Sequence, residues 1–296
     1  MSFNPYFKNI TEEEITQRLN SVKDVEIESM SIDDIQNTIG DLILGYNRTT
    51  YKFNLKGLSR SRKNDNDPFL NTADLWIPDF NKIEEKKWKY GRCNDKGEGV
   101  FYASSETDTA ICEAHPLKNS YITVVNCIPI HGQLNAVVQV VGVTALSKAR
   151  NDLRPILENH YYRMKEENEE FFYKNLLIDN FVTEQFTQIV EEGENWKYKA
   201  CIAITRILLS APNVVGIVYP SIAANSKGVN FVFKPEFANN NLQIVGAGVF
   251  EVLDTDESLI TLRHIMSPQS ICTKGLGEIR WKSHEQNELT EFTINK

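Results

Sequence analysis

The chain has 296 residues, 41% hydrophobic and 24% charged, with a formal net charge of −8. That composition is ordinary for a soluble globular protein of one large or two small domains, long enough to bury a core without staples. The acidic balance, with no long basic run, disfavours a nucleic-acid partner, because neutralising phosphates takes clustered Lys and Arg.

No apolar run approaches the roughly 18 residues that span a bilayer, so no membrane association is expected. The start, MSFNPYFKNITEEE, has neither the basic nor the apolar region of a secretory signal. Five cysteines, widely spaced and without a CxxC, fit reduced thiols better than a disulfide framework or a zinc site. A cytoplasmic protein is expected.

In chain order, Thr11-Glu12-Glu13-Glu14 carries the pattern of a capping box, and Ser31-Ile32-Asp33-Asp34 repeats it ahead of Ile35, Ile39, Leu42 and Leu44. Residues 1–48 are therefore expected to form an extension of two or three helices. YKFNLKGLSRSR, from Tyr51, reads as one strand ending in a basic cluster, and KNDNDPFLNTADLWIP, with Pro68 and Pro78, as a loop. VFYAS follows Gly97 and Gly99 as a short strand, and Glu106 to His115 as a short helix. YITVVNCIPI and LNAVVQVVGV are β-branched and read as strands.

Residues 148–195 have helical spacing, and Tyr161, Tyr162, Phe171, Phe172 and Tyr173 are expected to be packing positions. Tyr198 to Leu209 reads as a core helix stopped by Pro212. VVGIVYPS and VNFVFKP are strands, and LQIVGAGVFEVLD with SLITLRHIM a closing hairpin. The expected class is α+β, with most of its sheet between residues 51 and 265.

The chemistry-bearing residues are individually ordinary. Arg92, in the turn Gly91-Arg92-Cys93-Asn94, suits a phosphate, or a surface pair with Glu98 or Asp95. Glu113 emerges beside Ala110, Ile111 and Cys112, so it is either a partly buried functional carboxylate or part of a solvated helix face. Alternation sets Arg60 and Arg62 on one face of their strand, where they suit a pyrophosphate or an ion pair. Ser221 ends VVGIVYPS, outside any GxSxG elbow. GEGVFYAS lacks the Lys-Ser/Thr of a P-loop, GAG at 246–248 lacks a third glycine, and the five histidines have no HxxxH or HExxH spacing, so no metal site is expected.

In combination, SRSR, then GRCN with its glycine turn, VFYAS and AICE, then GIVYPS and GVNFVF, resemble the RES domain family over about residues 50–240. Cys93 stands where that family more often has Trp. The resemblance implies an ADP-ribosyltransferase-like split, twisted β-sheet with flanking helices, here a catalytic domain over 49–296 after an N-terminal helical extension over 1–48. It implies NAD as substrate rather than resident cofactor, and cleavage of the nicotinamide–ribose bond. It assigns the first arginine to Arg60, with Arg62 competing, the GRxN arginine to Arg92, the strand tyrosine to Tyr102, the family Glu to Glu113 and the family Ser to Ser221. In that reading Arg60, Glu113 and Ser221 are catalytic, and Arg60, Arg92, Tyr102 and Ser221 bind NAD. Inorganic phosphate, water or a protein side chain stays open as acceptor. An Xre-type antitoxin is an implied partner, and self-association stays open. The alternatives are a protein ADP-ribosyltransferase and a non-enzymatic nucleotide- or partner-binding module.

Overall fold

The computed structural model describes residues 7, 9–23, 26–143, 146, 154–191, 193–225, 228–273 and 276–296. In chain order they form helices α1 (Glu12–Asn20), α2 (Glu26–Ser29) and α3 (Ile32–Gly45), strands β1 (Thr49–Leu55), β2 (Leu58–Lys63) and β3 (Phe101–Ser104), and helix α4 (Thr107–Glu113). Strands β4 (Tyr121–Pro129) and β5 (Leu134–Val140) precede helices α5 (Arg154–Glu167), α6 (Glu169–Thr187) and α7 (Lys199–Leu208). Then come β6 (Gly216–Pro220), β7 (Val229–Phe233), α8 (Pro235–Asn241), β8 (Leu242–Thr255), β9 (Leu259–Ile271), β10 (Ile279–Ser283) and β11 (Thr290–Asn295). The class is α+β, as the residue pattern predicts. Among the described residues no helix is long and apolar enough to cross a membrane. Residues 148–153, the start of the expected helical stretch, lie outside the described residues.

The chain divides into two compact units. One gathers Met1–Tyr51, Phe80–Glu98 and Val137–Pro220, the other Lys52–Asp79, Gly99–Ala136 and Ser221–Lys296.

The first unit is mostly helical. Both expected capping boxes form: Thr11 and Glu14 open α1, and Ser31 and Asp34 open α3, each pair satisfying amide donors that a helix start leaves free. Helix α3 buries Ile32, Ile35, Ile39, Leu42 and Ile43. It packs on α7, where the position of a Gly40 Cβ lies 3.8 Å from Ile207 Cδ1. Lys199 donates to the carbonyls of Glu28 and Met30 at 2.7 and 2.8 Å, a cation at the end of α2. Strands β5 and β6 run parallel, Val138 opposite Gly216. The aromatic run at 161–173 is only partly core: Phe171 is buried, whereas Tyr162 is 63% exposed.

Asp179 on α6 is buried and accepts a hydrogen bond from the Tyr161 hydroxyl. Burial pushes its carboxyl up to about 6, against the Tyr161 bond, which lowers it. The folded protein therefore keeps this proton to higher pH than the unfolded chain, whose Asp titrates near 3.9. Stability falls as pH rises from about 4 to about 6, and the loss persists above that. Asp179→Asn keeps the shape and an acceptor for Tyr161. It is expected to flatten that slope and to stabilise the protein near pH 7 by about 1–3 kcal/mol. Urea unfolding of both proteins from about pH 4 to about pH 7 measures this, and parallel pH profiles would refute it.

The second unit is a sheet in the order β7-β3-β2-β4-β8-β9, with β10 and β11 both on β9. Two expectations need correcting here. The single strand expected over 51–62 is two, β1 and β2. Leu55 and Leu58 are both buried with exposed Lys56 and Gly57 between them, which breaks the two-residue alternation. The closing hairpin is also not the end of the sheet. Strand β9 is 13 residues long, so β11 pairs along Leu259–His264 and β10 along Met266–Ile271 of it. The polar sequences IRWKS and TEFTIN conceal these strands, because only one of their faces meets apolar neighbours.

Candidate functional site

Helix α4 starts directly after β3 and is anchored at its first residue, where the Thr107 and Ser59 hydroxyls lie 2.9 Å apart. Thr109, Ala110, Ile111 and Cys112 are all buried. Ile111 and Cys112 pack with Ile122, Val124, Val252 and Leu262 of the sheet. On another side α4 meets backbone: the position of a Gly228 Cβ lies 1.9 Å from Thr109 Oγ1, so only glycine fits there. This seating brings Glu113, the last residue of α4, half-buried beside Ser221 and β7.

Ser221 is fully buried. Its amide donates to the Gly228 carbonyl at 3.0 Å, and its Oγ accepts from the Ala224 amide at 3.2 Å. Held in this way, the hydroxyl donates to Glu113 Oε1 at 2.6 Å. Asn230 Nδ2 donates to the same oxygen, also at 2.6 Å, while Asn230 Oδ1 accepts from Ser104 Oγ at 2.8 Å. A negative charge at a helix C-terminus meets the unfavourable end of the helix dipole, and two donors on one carboxylate oxygen offset that. Among the described residues Oε2 has no hydrogen bond.

Strand register explains the rest of this surface. Asn230 pairs with Ser104, Ser104 with Ser59, and Ser59 with Asn126. Directly paired residues share a face, so these four polar side chains form a row across β7, β3, β2 and β4 on the α4 side. Tyr102, two residues before Ser104, belongs to the same face.

Arg60 belongs to the other face, by the same alternation. Its guanidinium lies 5.8 Å from the Phe101 ring centre, and Nη1 donates to the Tyr102 carbonyl at 2.8 Å. It is buried, and its Nε has no partner among the described residues. Burial, then the neighbouring Arg62, lowers the guanidinium to about 10. Arg62 donates to the Asp74 carbonyl and lies over Phe69. The structure thus joins Glu113 to Ser221, places Tyr102 on their face, and sets Arg60 and Arg62 on the opposite one.

Arg92 belongs to the first unit. It donates to the carbonyls of Gln185 and Gln188 at 3.3 and 3.1 Å, at the end of α6, and lies over the Tyr198 ring. Asp95 and Glu98, the partners its local sequence offered, are instead bound by Arg206 at 2.9 and 2.8 Å.

Sequence reasoning missed Asn230. The available signal was a lone amide in the apolar run VNFVF, since a buried polar group requires a partner. Among the described residues no three His, Cys, Asp or Glu side chains form a metal cluster.

A family model described as the RES domain matches residues 77–249, more than half of the chain. The matched span contains Arg92, Tyr102, Glu113, Ser221 and Asn230, and leaves out Arg60 and Arg62. No curated protein matches the chain.

Proposed function

The chain belongs to the RES domain family, and on that footing we propose that it consumes NAD by breaking the nicotinamide–ribose bond, with phosphate or water as acceptor. One observation carries this reading: the Glu113 carboxylate is held through Oε1 by Ser221 and Asn230, and among the described residues Oε2 has no hydrogen bond. Departure of nicotinamide leaves positive charge on the ribose C1 and its ring oxygen. A carboxylate that hydrogen-bonds the ribose hydroxyls through Oε2 stabilises that charge more in the transition state than in the ground state. Pre-orientation means that no reorganisation is needed as the charge develops. The C1–N bond electrons leave with nicotinamide; an anionic oxygen of phosphate, or the oxygen of water with loss of a proton to solvent, forms the new C1–O bond.

Tyr102, on the same face, offers a ring for the nicotinamide to stack on. Ser221 acts by holding Glu113. Arg92 is assigned to the pyrophosphate on the resemblance alone. Arg60 enters as a positioning residue, which ties down the Tyr102 carbonyl from the far face. The family resemblance likewise supports a cytoplasmic toxin restrained by an Xre-type antitoxin.

Purified protein incubated with NAD is expected to release nicotinamide. The second product is expected to be an ADP-ribosyl phosphate when phosphate is present and ADP-ribose when it is not. Absence of nicotinamide in both conditions, from folded protein free of antitoxin, overturns the reading. Label transferred from NAD to a protein band in cell lysate would move the acceptor to a side chain.

A further inference from the structure

We infer that Asn230 and Ser104 form a positioning couple for Glu113: Ser104 orients the Asn230 amide, and the amide fixes the plane in which the carboxylate presents its other oxygen. The inference rests on the NAD-cleaving reading and adds two residues to it.

The geometry admits only one arrangement of the amide. Asn230 is 4% exposed and Ser104 3%, so neither has water as an alternative partner. Asn230 lies 2.6 Å from Glu113 Oε1 on one side and 2.8 Å from Ser104 Oγ on the other. Turning the amide over would set its carbonyl oxygen against a carboxylate oxygen at that same 2.6 Å, two acceptors with no proton between them. Nδ2 therefore faces Glu113, and Oδ1 takes the Ser104 proton. The hydroxyl, able to donate or accept, is the adaptable member, and the direct pairing of Ser104 with Asn230 across β3 and β7 brings it within reach.

With Ser221 as sole donor the carboxylate plane could swing about its last bond while keeping that hydrogen bond. A second donor from β7 on Oε1 removes that freedom. Asn230 need not touch the substrate. Its effect is on the orientation of Glu113, so its loss is expected to reduce kcat rather than binding.

Asn230→Asp matches the native side chain in shape but puts a carboxylate where the donor was. It is expected to lower kcat by about 100-fold, with KM within about three-fold of wild type and unchanged far-UV circular dichroism. Ser104→Ala leaves every atom of Asn230 in place and is expected to lower kcat by about three- to ten-fold. In an Asn230→Ala background Ser104→Ala should add nothing further, because the two act as one unit. Ser104→Thr, which keeps the hydroxyl, should restore most of the loss.

An active wild type with Asn230→Asp at full kcat, or Ser104→Ala acting independently of Asn230, overturns the inference. If the wild type itself releases no nicotinamide, it is the NAD reading that fails. The couple then still stands or falls on a crystal structure of Asn230→Ala, in which the Glu113 carboxylate should rotate away from its present orientation. An unmoved carboxylate rules the couple out.

Discussion

Glu113→Gln is expected to lower NAD turnover by about a thousand-fold while leaving the fold intact. The substitution isolates charge from shape. The new side chain can still accept from Ser221 and Asn230 through its carbonyl oxygen, as Glu113 Oε1 does now. Its amide nitrogen then stands where Oε2 stood, presenting a donor in place of a charged acceptor. The ribose hydroxyls lose their acceptor, and the developing positive charge loses its counter-charge. NAD affinity should stay within about ten-fold of wild type, since the effect falls on the transition state. Nicotinamide release and NAD titration on the same preparation check both halves. Retention of more than about a tenth of wild-type turnover would remove Glu113 from the chemistry.

The second large effect comes from Gly228→Ala, through packing alone. The new Cβ would lie 1.9 Å from Thr109 Oγ1 and under 3 Å from Thr109 Cγ2 and Cβ, so the contact must open, and α4 is expected to lift. Overpacking of this kind costs about 1–3 kcal/mol. The lift also carries Glu113 away from Ser221 and Asn230, so turnover should drop at least about ten-fold beyond what unfolding explains. Thr109→Ala in the same protein removes the nearest atom and should recover part of both losses, showing coupling between two contacting sites. Denaturant unfolding together with nicotinamide release reads the pair. Wild-type stability for Gly228→Ala alone would mean that α4 does not press on that backbone.

The residue pattern predicts some parts of this protein well and others poorly, for physical reasons. The capping boxes at Thr11 and Ser31 form because their partners sit three residues away, within one helical turn. Helix α4 and strand β7 follow from local periodicity in the same way. Failures occur where the deciding partner is distant in sequence. Strands β10 and β11 exist because β9 is long enough to seat both, which their own polar sequences do not record. The separation of Arg60 from Glu113 depends on a single residue of register between β2 and β3. Alternation along β2 correctly groups Arg60 with Arg62, but it says nothing about which face α4 covers. Glu113 and Ser221 stand out only as part of a family pattern, and Asn230 becomes visible only once β3 lies beside β7.

That pairing has a consequence for the growing chain. The Glu113 carboxylate is made at residue 113, yet the donors that fix it arrive at Ser221 and Asn230, more than a hundred residues later. A ribosome-bound chain that has not yet extruded β7 carries the carboxylate without its orientation. A one-residue slip of β3 along β7 would set Asn230 opposite Ala103, whose side chain points to the other face, and again leave the amide without Ser104. The orientation of Glu113 is thus tied to the arrival of β7, and fragments released early in synthesis, through β5 for instance, are expected to be inert. For a chain whose proposed activity drains a central metabolite, that ordering would hold back activity until β7 has been made.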